Sequence, residues 1–140
     1  MDYTVSRRVN LLRDCKEDGV DGLLVTHPVN VRYLTGFTGS SGSLVLSAKH
    51  AILVSDARYE EQIKEECKGL DVHIRPHTKT LTDAMAEVLS KSGLKTVGVE
   101  ADHMSLITHT TLQEKAAKTT FAPLAGKRSE ERRVGKECVP

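Results

Sequence analysis

The chain has 140 residues, with 20 Lys and Arg against 19 Asp and Glu; that length suits one domain around a single core, and so even a charge balance gives no field to gather nucleic acid or an acidic membrane surface. No run approaches the roughly 18 to 20 apolar residues of a membrane span, and Met1 to Arg8 are polar where a signal peptide needs an apolar stretch, so a cytoplasmic protein is expected. Cys15, Cys67 and Cys138 are odd in number and lack a C-x-x-C pair, which favours free thiols over a disulfide framework or a zinc knuckle.

Val5, Val9 and Leu12, with Leu11 and Cys15 beside them, have helical spacing and predict a first amphipathic helix closed by Gly19. Gly22 to Thr26 is a short apolar run, the pattern of a strand covered on both faces. His27 to Leu34 reads as a short helix with Pro28 near its start. Ser43–Ser47 and Ala51–Ser55 are β-leaning runs with hairpin spacing. Arg58 to Cys67 predicts an exposed helix whose Glu60, Glu61, Glu65 and Glu66 form a solvated face. A strand is expected over Val72–Ile74, a helix over Leu81–Leu89 capped by Thr80, a strand over Thr96–Val99, a helix after Ser105, and a last strand near Thr119–Phe121. The fold class is therefore α/β: a single layered domain with a mixed central sheet of about six strands and helices on both faces. The hairpin supplies its antiparallel part, and the helix-linked strands pair in parallel.

Between the second helix and the hairpin lies TGFTGSSG, in which Gly36, Gly39 and Gly42 recur at every third position. Glycine there permits positive φ and close approach to a neighbouring group. The loop lacks G-x-S-x-G spacing and precedes its strand, which argues against a nucleophilic serine at Ser40 or Ser41. No Gly-Lys-Ser/Thr follows, so it is no phosphate cradle either. His73 and His77 flank Pro76, which works against a shared metal-binding helix face. No catalytic residue and no metal ligand is assigned.

The string NVRYLTGFTGSSG, then a strand pair, then DARYEEQ resembles the N-terminal domain shared by Xaa-Pro aminopeptidases, prolidases and creatinase, and the resemblance runs from about Val5 to Ala125. It implies a mixed sheet flanked by helices in a non-catalytic domain. The two divalent metal ions of the resembling enzymes, commonly manganese, are held by a separate catalytic domain, so no cofactor is expected within this chain. The implied partners are that catalytic domain, a second subunit in a homodimer, and a proline-containing peptide. Arg58 matches the arginine of the family's D-x-R-Y motif, implicated in peptide contact; its alternative is an ion pair with Asp56 or Glu61. Phe37 either walls a proline-sized pocket or plugs the core beneath the loop. Thr38, Gly39, Ser40 and Ser41 are the expected loop and subunit contacts, while Asp56 caps the helix that follows it.

The domain is expected to span residues 1–126. Beyond it KRSEERRVGKE is almost wholly charged, and a disordered tail or a foreign join in place of the catalytic domain is expected over 127–140. Two other readings stay open: a stand-alone binding or dimerisation module, and a fragment of a creatinase-like amidinohydrolase.

Overall fold

The computed structural model describes residues 3–17, 19–67 and 69–124; the expectation for 127–140, like Cys138, lies outside them. Twelve elements follow in order: α1 (Tyr3–Lys16), β1 (Gly22–Val25), α2 (Pro28–Thr35), β2 (Gly42–Ser47), β3 (Ala51–Ser55), a 3-10 turn (Ala57–Tyr59), α3 (Glu60–Glu66), β4 (Asp71–Ile74), α4 (Leu81–Ser92), β5 (Thr96–Glu100), α5 (Leu106–Lys115) and β6 (Thr120–Leu124). Thr80 and Ser105 cap α4 and α5 by accepting from the amides of Asp83 and Thr108, and Gly93 ends α4 in the left-handed region.

The six strands form one sheet in the order β4-β3-β2-β1-β5-β6. Pairings β1–β5, β3–β4 and β5–β6 are parallel, and β2–β3 is the expected antiparallel hairpin. One pairing departs from expectation: β1 and β2 are joined through a helix yet run antiparallel, with Val25 opposite Leu44. Gly36 reverses the chain at the end of α2 with φ 83°, and the following loop delivers it to the same end of the sheet that it left.

Strand alternation divides the core in two. Leu23, Val25, Leu44, Leu46 and Leu53 face one side, under α1, α2 and α3. Leu24, Val45, Val54, Val97 and Val99 face the other, under α4 and α5. Burial of each such side chain contributes about 1.5–3 kcal/mol, which is why both layers hold. Cys15 and Cys67 are buried free thiols in the first layer, and burial pushes the Cys67 thiol up to about 11, where it is unreactive. Among the described residues no helix is long and apolar enough to cross a membrane.

The first helix corrects the sequence reading. Leu11, Leu12 and Cys15 turn inward, whereas Val5 and Val9 remain 48% and 57% exposed.

Candidate functional site

The loop after α2 is organised around one ring. Phe37 is 1% exposed and packs edge-to-face on Tyr59, with centroids 5.4 Å apart and planes at 87°. The chain then crosses back over it. A Cβ on Gly39 would lie 2.3 Å from Phe37 Cζ, and one on Gly42 would lie 2.8 Å from Cε2. The three glycines thus serve two ends. Gly36 supplies the positive φ, while Gly39 and Gly42 have ordinary φ and are needed for close approach. The ring is enclosed by Tyr59 and its own loop, the arrangement expected of a plug beneath the loop.

Outside the ring, side chains of the 3-10 turn and α3 tie the loop down. The Thr38 amide donates to Glu66 Oε1 at 2.9 Å and its hydroxyl to Oε2 at 2.8 Å, while Gln62 Nε2 donates to the same hydroxyl at 2.8 Å. The Thr38 amide beside it holds the Glu66 carboxyl below its usual range. The hydroxyls of Ser40 and Tyr59 share a bond of 2.9 Å, and the Ser55 hydroxyl donates to the carbonyl of Ser41. Both bonding directions of the Thr38 hydroxyl are therefore used within the domain. Glu66 was assigned to a solvated acidic face by the sequence; its one detectable signal is Gln62 one turn earlier.

Arg58 stands at the rim of this loop. Asp56, 5% exposed at the end of β3, accepts from the Arg58 amide at 3.1 Å, which caps the 3-10 turn, and from its side chain through Nε at 3.0 Å and Nη2 at 2.9 Å. Arg75 lies 4.0 Å from the same carboxylate. The Arg58 hydrogen bond brings the Asp56 carboxyl down to about 2. The ion pair that the sequence offered as an alternative role is thus present, and with Asp56 rather than Glu61. It does not consume the guanidinium. The Arg58 side chain is 69% exposed, two of its N–H groups meet Asp56, and the remaining donors of the planar fork point to solvent beside the Tyr59 ring, whose centroid is 5.2 Å away.

Glu100 was not singled out by the sequence, although it is 4% exposed. Its Oε1 accepts from the amides of Thr26 and His27 at 2.6 and 2.9 Å and from the Thr26 hydroxyl at 3.2 Å, and Oε2 accepts from Asn30 Nδ2 at 2.7 Å. A carboxylate at the start of α2 meets amides that the helix leaves unpaired and the positive end of its dipole. This fastens β5 to the helix that launches the loop. Nearby, Ser40 to Ser43 form one wall of a cleft of about 320 Å³ opposite the first turns of α4 and α5.

Among the described residues no group of three or more His, Cys, Asp or Glu is placed to hold a metal ion. What the arrangement offers is one largely exposed guanidinium, Arg58, beside a loop whose polar groups are bonded within the domain.

Residues 7–134 match the family described as the Creatinase/Prolidase N-terminal domain. The chain is 36% identical over 107 residues to the uncharacterized peptidase YqhT of Bacillus subtilis, a match covering 76% of this chain and 30% of that protein. It is similar in structure to an Xaa-Pro aminopeptidase of Streptococcus pyogenes, with TM-score 0.78, 30% identity and coverage of 92% of this chain and 96% of that one. It is also similar to an Xaa-Pro dipeptidase of Bacillus anthracis, with TM-score 0.80, 28% identity and coverage of 91% and 35%.

Proposed function

The chain belongs to the creatinase/prolidase N-terminal domain family, and on that footing we propose that it is the non-catalytic N-terminal domain of a cytoplasmic, metal-dependent Xaa-Pro aminopeptidase or prolidase-like peptidase. Its part is to shape the outer wall of the substrate pocket and to supply subunit contacts in a homodimer. The observation that carries this reading is Arg58: a guanidinium held on two edges by a nearly buried carboxylate, with its other donors turned outward.

Such a group suits a peptide carbonyl or a free carboxylate, because the fork geometry is set before the peptide arrives and little side-chain freedom is lost on binding. The neighbouring rim of Thr38, Gly39, Ser40 and Ser41 is fixed from below by Phe37 and from the side by Glu66 and Tyr59. Rigidity of that kind fits a surface that positions a substrate or a second subunit. In this reading the two divalent ions, commonly manganese in the resembling enzymes, are bound by the catalytic domain with which this one works.

The test is a chimera in which residues 3–124 replace the matching region of the Bacillus anthracis dipeptidase. The chimera is expected to hydrolyse an X-Pro dipeptide in the presence of manganese, and Arg58→Ala to lower its kcat/KM by about tenfold or more through a lost charged hydrogen bond. Full activity in the Arg58→Ala chimera would remove the peptide-contact role. X-Pro hydrolysis by the 140-residue chain alone would overturn the non-catalytic assignment.

A further inference from the structure

Between α1 and the β2–β3 hairpin lies a groove of about 570 Å³ that the reading above leaves unused. We infer that it is a docking groove for an acidic amphipathic helix of a partner protein.

The helical stripe of α1 is longer than the core it covers. Leu12 reaches the sheet, but Val5 and Val9, in line with it, overhang the hairpin and stay about half exposed. With Leu46 and Ala51 they make an apolar trough. Two isolated surface valines would need no explanation, but valines that line one groove together with Leu46 and Ala51 offer a continuous apolar floor to the side chains of a helix spaced three and four apart.

The rim of the trough determines what fits. Arg8, Arg13 and Lys16 line it from the helix and Lys49 from the hairpin, and among the described residues no carboxylate lines it. Lys16 and Lys49 make no ion pair among the described residues. His50 lines the hairpin side of the groove as well and faces Asp71, which stands outside the lining, at 3.8 Å.

This distribution disfavours three occupants. A second copy docked face to face would bring two cationic rims together, and like charges across an interface are costly. Residues 127–140 contain five Lys and Arg against three Glu, and they would be repelled for the same reason. An anionic lipid surface satisfies the charge but not the concavity, since interfacial helices present a convex apolar face to the bilayer. A helix with Leu or Ile along one face and Asp or Glu along its flanks satisfies both.

The test uses the full chain, isotope-labelled for amide NMR, and two helical peptides of about 18 residues that share one leucine face and carry either Glu or Lys on the flanks. The Glu peptide is expected to shift amides of residues 5–16 and 46–51, to bind at least about tenfold tighter than the Lys peptide at low salt, and to weaken as salt is raised. The exposed triple change Arg13→Glu, Lys16→Glu, Lys49→Glu is expected to reverse the order of the two peptides, and Val9→Asp to weaken both. Equal binding of the two peptides, shifts mapping elsewhere, or an unchanged order in the triple variant would overturn the inference. So would self-association of the chain through these residues, or binding to phosphatidylserine vesicles without binding to the Glu peptide.

Discussion

Gly39→Ala places a methyl group 2.3 Å from Phe37 Cζ, 2.8 Å from Cε1 and 2.9 Å from Tyr59 Cδ1. The backbone at Gly39 has ordinary φ, so the substitution carries no conformational strain and its effect is packing alone. Phe37 cannot retreat, because its ring is fully buried against the first core layer, and overpacking of such a site costs about 1–3 kcal/mol. Phe37→Leu removes the Cζ and Cε1 atoms that clash and by itself costs about 1–2 kcal/mol of lost burial. If the loop is shaped by this ring, the double variant is expected to be more stable than the sum of the singles by about 1 kcal/mol or more. Equilibrium urea unfolding followed by far-ultraviolet circular dichroism is the assay, since the chain contains no Trp. Additivity of the two changes within about 0.5 kcal/mol would refute the account.

Glu100→Ala leaves the amides of Thr26 and His27 and the Asn30 side chain without their shared acceptor, and is expected to cost about 3–5 kcal/mol; a loss under about 1 kcal/mol in urea unfolding would show that the carboxylate does not hold α2. The Asp56–Arg58 pair predicts a pH dependence of definite sign. The Asp56 carboxyl is lowered from 3.8 to about 2 in the folded chain, so its contribution is present above the unfolded value near 4 and is lost as pH falls through about 2. A shift of that size is worth about 2.4 kcal/mol as an upper bound, and because Arg58 sits largely in water screening reduces it to about 1 kcal/mol. Stability measured against pH should show wild type exceeding Asp56→Asn near neutrality and the gap closing towards pH of about 2; a gap independent of pH would contradict the pairing.

Most of the architecture was legible in the chain because local chemistry decides it. Thr80, Ser105 and Gly93 mark helix ends through the bonds that their own side chains or backbones make. The apolar run at Gly22–Val25 declared two-sided burial without reference to any distant residue, and the runs at Ser43–Ser47 and Ala51–Ser55 declared the hairpin. The strings TGFTGSSG and DARYEEQ also carried the family. The sequence could not decide between two roles for each of Phe37 and Arg58, since exposure and burial at a loop are settled by what packs from elsewhere. Tertiary structure put Tyr59 beside the Phe37 ring and Asp56 behind the Arg58 guanidinium, and so made one a plug and the other a held but outward-facing donor. It also recruited Glu66 and Glu100 by bringing amide groups to them from 28 and 74 residues away in the chain. Periodicity records which face of a helix is apolar, not how far the sheet beneath it extends, and for that reason only the folded chain revealed that α1 outruns its core at Val5 and Val9.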